Sequence, residues 1–168
     1  MSGISAYGTD FAREIITVRQ RADRWNEMGN PKSAAGRREI PMTPMVCSTL
    51  REWKLACPLS KARLVIPNGR GNVESHANIV NRGLRPLQVK CGIVNADGKA
   101  RYSLHTFRHF FASWLIEQAY GPKHVQTIMG HSSVKMTFDL YGHLFPSSDD
   151  DRARLAAGEL ALVGIKEI

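Results

Sequence analysis

The chain has 168 residues, 43% of them apolar, which is enough for one ordinary domain with a buried core. Its 23 lysine and arginine residues against 15 acidic residues give a formal charge of +8 and a pI near 9.8. This charge favours a polyanionic partner, nucleic acid before an anionic membrane surface. No apolar run reaches membrane-spanning length and no signal-peptide pattern opens the chain, so we expect a cytoplasmic protein that neither spans a membrane nor is secreted.

The three cysteines, Cys47, Cys57 and Cys91, are odd in number and lack CxxC spacing. This pattern argues against both a disulfide framework and a cysteine zinc site. We expect reduced, mostly buried thiols.

Two short stretches near the N-terminus are typical of β-strands. "REIITVRQ" (residues 13–20) alternates β-branched and polar residues, and "RREIPM" (residues 37–42) is a second candidate. The segment between them contains Gly29, Pro31 and Gly36. It therefore predicts a long, basic hairpin that carries Lys32 at a mobile tip.

The next elements are helical. Thr43 followed by Pro44 predicts the start of a helix that ends before Pro58. Its apolar face is expected to consist of Val46, Leu50, Trp53 and Leu55. Between residues 73 and 93 the apolar spacing is irregular and is interrupted by Gly83 and Pro86, which predicts one or two short helices.

Three further helices and a tail follow. Ser103 is the predicted N-cap of a helix that carries "HTFRHFFASW" (residues 105–114), with an apolar stripe of Leu104, Phe107, Phe111, Trp114 and Leu115. "PKHVQTIMG" predicts a short helix closed by Gly130, and "SSVKMTFDLYGHLF" predicts a serine-capped helix that runs through Tyr141. The acids of "SSDDDRARLAAGELALVGIKEI" predict the start of an amphipathic tail helix.

Because strands are few and early while helices dominate the rest, the predicted fold is α+β. We expect a mainly helical domain over residues 1–146, with a small antiparallel β-sheet near its N-terminus. Residues 147–168 form a C-terminal tail with an amphipathic helix.

His105 and Arg108 are three residues apart on a predicted helix, so their side chains project from the same face, while Phe107 and Phe111 are expected to point to the core. An arginine there can direct two N–H groups to a phosphate, and an imidazole can exchange a proton near neutral pH. Taken alone, the same residues are more typical of a capped helix start with a surface arginine than of a phosphate site.

A metal site is the other interpretation of this helix. His105 and His109 have the spacing of zinc ligands in HExxH proteins, but Thr106 occupies the position of the essential glutamate. The remaining histidines have no clustered carboxylates beside them: His76, His124, His131 and His143. We therefore expect no metal.

Tyr141 lies ten residues after His131. Deprotonating a phenol at pH 7 costs about 4 kcal/mol, so a nucleophilic tyrosine needs a base or cationic surroundings. An antiparallel return of short helices could bring Tyr141 beside His131, His105 and Arg108. The alternative is an ordinary amphipathic tyrosine with a wet hydroxyl.

Three pieces of the chain, in this order, resemble the catalytic domain of the tyrosine recombinase family, most closely the phage and prophage integrases. "NPKSAAGRREIPM" is similar to the family's lysine-bearing β-hairpin, and "LHTFRHFFASWL" is similar to its HxxR helix. "IMGHSSVKMTFDLYGHLFP" is similar to its GH box and nucleophilic tyrosine. The resemblance covers about residues 10–146.

The resemblance implies cleavage of double-stranded DNA through a 3′-phosphotyrosyl link, followed by rejoining, with no metal and no cofactor. By matching position, Tyr141 is the nucleophile and Arg108 stabilises the non-bridging oxygens. His105 would accept or relay the tyrosine proton, His131 would hydrogen-bond the phosphate, and Lys32 would protonate the leaving 5′-oxygen. These roles meet the needs of phosphoryl transfer, which are positioning and preorganised positive charge.

Other basic residues are candidates for contacts to DNA phosphates, which set affinity without reading sequence. They are Arg37, Arg38, Lys54, Lys61, Arg63, Arg70 and Arg82. Each has the alternative of being a solvated surface charge. We expect His109 and His143 to be structural neighbours that take no direct part.

The chain departs from the family pattern at its start. It has no segment like "GLRxSE", which carries another catalytic arginine, and no N-terminal core-binding domain. We therefore expect a truncated piece that is inactive or cleaves about 100-fold more weakly than an intact enzyme, or worse.

The C-terminal helix implies two arrangements. In the family such a helix often docks on the neighbouring protomer of a DNA-bound tetramer. It could instead pack on its own chain and bury apolar residues that would otherwise be exposed to water. These are Leu155, Leu160, Leu162, Val163 and Ile165.

Two other functions compete with a recombinase. The first is a non-catalytic DNA-binding module, such as a decayed prophage remnant. The second is a type IB topoisomerase, which the likeness of "MGHSSVKMTFDLYGHLFP" to integrases disfavours.

Overall fold

The computed structural model describes residues 4–5, 8–23, 25–145 and 149–163. Its N-terminal part contains two small antiparallel sheets. One has the order β1 (Ile4–Ser5), β4 (Gln20–Ala22), β5 (Met28–Gly29), and the other has the order β2 (Thr9–Asp10), β3 (Ile15–Val18), β6 (Arg38–Pro41). The two predicted strands are thus confirmed as the paired strands β3 and β6, with shorter bounds.

The register of β6 determines which of its side chains faces the helices. Ile16 pairs with Ile40 and Val18 pairs with Arg38. Along β6, Arg38 and Ile40 are half-buried while Glu39 is exposed, as the alternation of a strand requires. Because Ile40 packs against the helical core, Arg38 lies on the same inward side.

The connection between β3 and β6 contains more secondary structure than the predicted hairpin. It contains the β4–β5 pairing and a 3-10 helix, Ala34–Gly36. Two arginines hold it on Asn30: Arg21 Nε donates to the Asn30 carbonyl at 3.2 Å, and Arg37 Nη2 donates to Asn30 Oδ1 at 2.9 Å. Lys32 therefore sits on a loop with its own hydrogen bonds.

After β6 the regular elements of the described chain are helices, joined by loops that contain two isolated β-bridges, Pro67 with Val73 and Val94 with Ala100. The helices are α1 (Pro44–Ala56), α2 (His76–Asn78), a π-helical stretch (Ile79–Leu84), α3 (Arg85–Lys90), α4 (Leu104–Glu117), α5 (Pro122–Met129), α6 (Val134–Tyr141), a 3-10 turn (Gly142–Leu144) and α7 (Asp149–Val163). The predicted α+β class is confirmed. The short helices expected between residues 73 and 93 form one continuous helical run from α2 to α3.

The predicted helix caps are observed. Ser103 accepts from the Thr106 N–H in a reciprocal capping box, and Ser133 accepts from the Met136 N–H. Gly130 closes α5 in the left-handed region, with φ 68°. These caps set the short turn between α5 and α6.

The core lies where α4, α5 and α6 meet. Its buried members are Ala112, Leu115, Ile116, Val125, Ile128, Met129 and Tyr141, with Ile40, Phe111 and Phe145 packed at its edge. The predicted apolar stripes are partly wrong: Phe107 is 45% exposed, Trp114 is 37% exposed and Leu55 is 92% exposed. The buried face of α4 is rotated by about one residue from the predicted one. Because α4 has apolar residues on several sides, its sequence does not specify which side is buried.

The tail helix is confirmed as α7. Leu155 and Leu162 are 73% and 90% exposed, and Leu160 and Val163 are also exposed, so these residues do not pack on their own chain in this structure. Ile165 lies outside the described residues.

Two other expectations can be compared with the structure. Cys47, Cys57 and Cys91 are free thiols, but Cys91 is exposed on the turn after α3 and Cys57 is only half-buried. Among the described helices, none is both long and apolar enough to cross a membrane.

Candidate active site

The hydroxyl of Tyr141 lies at the centre of the candidate site. Tyr141 is the last residue of α6 and is only 4% exposed. Its Oη is 2.9 Å from His109 Nδ1, and its ring stacks on His131 with centroids 6.2 Å apart and an interplanar angle of 10°. The phenol is thus held by an imidazole from α4 and by another from the α5–α6 turn.

The position of His131 follows from the turn that precedes it. After Gly130, the His131 N–H donates to the Gln126 carbonyl at 3.1 Å, and Gln126 Nε2 donates to the His131 carbonyl at 3.0 Å. The buried ring hydrogen-bonds Thr137 through Nδ1 at 2.9 Å. A neutral ring whose Nδ1 accepts from this hydroxyl carries its proton on Nε2, where it can donate to an incoming oxyanion.

Arg108 reaches the same place from α4. Its Nη2 donates to the carbonyl of Met129, at the end of α5, at 2.6 Å. Burial raises the pKa of Tyr141, and the Arg108 cation opposes that rise. Burial, followed by Arg108 and Arg38, lowers the pKa of His131. The site therefore combines a protonated phenol, a neutral imidazole and a cation.

The lowered pKa of His131 predicts acid-sensitive stability. The unfolded chain binds a proton on this residue below about pH 6.5, whereas the folded protein resists protonation. The free energy of unfolding should therefore be highest above this pH. It should fall by up to about 1.4 kcal/mol per pH unit on acidification, until the lowered pKa of the folded state is reached.

Urea unfolding of the wild type and of His131→Gln between pH 7.5 and pH 5 measures this contribution. The variant should lose the part of the pH dependence that belongs to His131. Parallel curves for the two proteins would contradict the prediction.

The structure places His109, which was expected to be a structural neighbour, directly against Tyr141. His109, one helical turn after His105, makes the hydrogen bond to the Tyr141 hydroxyl. The His105 ring lies edge-on to the His109 ring, with centroids 6.3 Å apart. His105 is thus placed one ring further from the phenol than the sequence led us to expect.

Lys32 lies at the neighbouring edge of the site. It is exposed and lines a cavity of about 220 Å³ together with Arg21, Ser33, Arg38 and Gly130. Because Gly130 directly precedes His131, this cavity connects the hairpin to the turn that holds the imidazole. The structure thus brings Arg108, His131 and Tyr141 together, while Lys32 lines the neighbouring cavity beside Gly130.

The predicted phosphate contacts fall into two groups. Six are exposed: Arg37, Lys54, Lys61, Arg63, Arg70 and Arg82. Arg38 is the exception, since its Nε donates to the Ile128 carbonyl at 2.9 Å and its Nη1 donates to the Gly36 carbonyl at 3.1 Å. Its guanidinium group is directed into the protein, which departs from the predicted surface contact.

A second cavity, of about 340 Å³, opens on the His105 side of α4. Four basic side chains line it: His76, Arg85, Arg101 and His105. Since acidic residues are missing from this lining, the cavity extends the positive surface beside the site. Arg85 and Arg101 were not among the phosphate contacts predicted from the sequence.

Two residues that support the site were also missed, although the sequence contains a signal for each. His109 is four residues after His105, and Thr137 is four residues before Tyr141. Side chains four apart share a helix face, so each of these polar residues projects beside a predicted site residue.

The chain is similar to several known proteins. The phage integrase family matches residues 7–148 of the chain. The transposase from transposon Tn916 of Enterococcus faecalis is 26% identical over a region that covers 91% of this chain and 40% of that protein. Tyrosine recombinase XerD of Corynebacterium glutamicum is 30% identical, with coverages of 84% and 47%. The chain thus spans less than half the length of these curated relatives.

Solved structures show the same fold. The Tn1549 transposon integrase in complex with circular intermediate DNA superposes with a TM-score of 0.70 at 24% identity, covering 89% of this chain and 51% of that one. XerA recombinase superposes with a TM-score of 0.60 at 19% identity, covering 93% of this chain and 50% of that one.

Proposed function

Because the chain belongs to the phage integrase family, we propose that it is the catalytic part of a site-specific recombinase that cleaves and rejoins double-stranded DNA through a 3′-phosphotyrosyl intermediate. The observation that carries this proposal is the Tyr141 hydroxyl, held 2.9 Å from an imidazole nitrogen and influenced by the Arg108 cation. A metal or cofactor has no assigned role in the steps below.

In the cleavage step, Tyr141 Oη forms a bond to the scissile phosphorus and the bond from phosphorus to the 5′-oxygen breaks. His109 Nδ1 is placed to accept the phenolic proton. His105 would relay that proton onward, since its ring lies beside that of His109. Lys32 would donate a proton to the departing 5′-oxygen. Attack by a 5′-hydroxyl of a partner strand reverses these transfers and releases Tyr141.

The charge that develops on the phosphate needs donors fixed in advance. Arg108 can direct its remaining N–H groups to a non-bridging oxygen while its Nη2 stays on the Met129 carbonyl. His131 can donate from Nε2 when Thr137 occupies Nδ1. Both donors are anchored by protein contacts, so little reorganisation is required at the moment of reaction.

The surrounding surface fits a DNA backbone. The cavity beside His105 would receive a neighbouring phosphate on Arg85 and Arg101, and the six exposed basic residues would add electrostatic contacts. The exposed apolar side chains of α7 favour docking on another protomer, as in a tetramer of a longer protein on DNA. Such a protein would act in the cytoplasm.

The test uses the 168-residue chain and a pool of nicked suicide duplexes with a randomised centre. Cleavage beside the nick releases a short strand that diffuses away, so the covalent adduct accumulates. We expect an adduct that survives denaturing electrophoresis, and mass spectrometry of its digest should map the DNA to the peptide that contains Tyr141.

Two other outcomes would contradict the proposal. An adduct mapped to another nucleophile would exclude the assigned mechanism. Retention of DNA without an adduct, at neutral and elevated pH, both by this chain and by a chain extended with the family's arginine-bearing segment, would favour the alternative of a non-catalytic DNA-binding module.

A further inference from the structure

We propose that Arg38 is a positioning residue for cleavage, which acts by fixing the end of α5, and with it Arg108 and His131, rather than by binding DNA. This inference rests on the proposed function. It departs from the interpretation of Arg38 as a phosphate contact and gives the β6 strand a part in the chemistry.

The end of α5 receives two guanidinium groups from two different elements. Arg38, on β6, donates from Nε to the Ile128 carbonyl at 2.9 Å. Arg108, on α4, donates from Nη2 to the carbonyl of the next residue, Met129, at 2.6 Å. These carbonyls belong to the last turn of the helix, where backbone acceptors lack helical partners and the helix dipole is negative.

The two cations would repel each other without these acceptors. Burial, followed by the Arg108 cation, lowers the pKa of Arg38. Consecutive carbonyls of one helix end place a negative partial charge beside each cation. By binding the Ile128 carbonyl, Arg38 helps to fix the helix end whose next carbonyl, that of Met129, holds Arg108.

Gly130 shows how closely Arg38 approaches the turn. A Cβ at this position would lie 2.9 Å from Arg38 Nη1 and 3.0 Å from its Cζ. Glycine is thus favoured at position 130 for two reasons: its φ is positive, and a side chain would collide with Arg38. The turn that it forms leads directly into His131. Moving the guanidinium group would remove the wall against which this turn packs.

Arg38 also joins the helical site to the hairpin. Its Nη1 donates to the Gly36 carbonyl at 3.1 Å, and its side chain lines the cavity that Lys32 also lines. One planar group thus contacts both the loop that carries Lys32 and the helix end that precedes His131. A lysine cannot reproduce this fork, because an ammonium group is a point charge without the planar array of donors.

Arg38→Ala and Arg38→Lys test the proposal, with Arg13→Ala as a matched control. Arg13 is an exposed arginine of the same sheet region that pairs with Glu39 on the outward face of β6. Three quantities are measured for each protein: the rate of adduct formation on a suicide duplex, the dependence of DNA affinity on salt, and the titration of His131 by NMR.

Both Arg38 variants should form the adduct about 10- to 100-fold more slowly, the range expected when reacting groups are misplaced by up to about 1 Å. The slope of log affinity against log salt should stay at the wild-type value, whereas loss of one phosphate contact would reduce it by about 0.9. Arg13→Ala should keep the wild-type adduct rate.

The His131 titration separates positioning from mere stabilisation of the fold. His131 faces Arg108 from α4, Arg38 from β6, and Tyr141 and Thr137 from α6. Removing the Arg38 cation should raise the pKa of His131, and Arg38→Lys, which keeps the charge, should raise it less. If Arg38→Ala does not fold, the adduct rate of Arg38→Lys still tests whether the planar guanidinium group is required.

Three results would overturn the proposal: a wild-type adduct rate in Arg38→Lys, a reduced salt slope in Arg38→Ala, or an unchanged His131 titration in the folded Arg38→Ala protein. The failure of the proposed function looks different, since the wild type itself would then form no adduct. The salt slope and the His131 titration would then still show whether Arg38 contacts DNA and whether its charge acts on His131.

Discussion

Replacing Tyr141 by phenylalanine should abolish the covalent protein–DNA adduct. The substitution removes one oxygen atom, which is the proposed nucleophile, and leaves a ring that can still stack on His131. Loss of a nucleophile in other enzymes costs about 10⁶-fold in turnover, so the remaining adduct should fall below detection. The measurement is a denaturing gel of labelled suicide duplex after incubation with each protein.

Tyr120→Phe is the matched control for this substitution. Tyr120 follows α4, is 39% exposed and contacts the His124 ring rather than the site. It should form the adduct at the wild-type rate. DNA retention by Tyr141→Phe should also stay close to that of the wild type, because no cation has been removed. An adduct of wild-type yield from Tyr141→Phe would exclude this residue as the nucleophile.

The stability of Tyr141→Phe should change little, for a reason that is visible in the core. The Tyr141 ring is part of the buried cluster, while its hydroxyl makes one described hydrogen bond, to His109. A typical hydrogen bond contributes about 1 kcal/mol net, and His109 is exposed enough to bond water instead. An inactive variant would therefore be inactive for chemical reasons rather than through unfolding.

The predictable part of this molecule is the part governed by local rules. Ser103, Ser133 and Gly130 each favour a helix boundary through their own side chain or its absence, and the structure places the boundaries there. Because these boundaries define two short helices joined by a tight turn, they also account for the proximity of Tyr141 to His131. The α+β class likewise follows from the order of the elements.

The unpredicted part depends on contacts between distant segments. His105 and His109 lie on one face of α4, and only the packing of α6 decides which of the two meets the Tyr141 hydroxyl. Arg38 is similar, because strand alternation shows that it shares a face with Ile40 but not that a helix end lies opposite. The exposure of Phe107 is a third case, since an apolar residue does not specify whether its own chain covers it.

Replacing Arg108 by alanine should slow adduct formation by about 10²- to 10³-fold, the loss expected for one preorganised donor to a developing oxyanion. Two effects combine in this variant: the phosphate loses a cation, and the Met129 carbonyl loses its partner. Because Arg108 opposes the rise that burial causes in the pKa of Tyr141, its removal should raise that pKa further. The pH at which the adduct rate is half-maximal should therefore move upwards, which a pH profile of adduct formation measures.

Arg108→Lys distinguishes the charge from the geometry of the guanidinium group. A lysine keeps the cation near Tyr141 but cannot bind the Met129 carbonyl and a phosphate oxygen in one plane. Its pH profile should lie close to that of the wild type, while its rate should remain at least about 10-fold lower, as expected for a misaligned donor. If both variants react within threefold of the wild type on the same DNA, Arg108 cannot be the transition-state cation, and the guanidinium group would serve only to hold the end of α5.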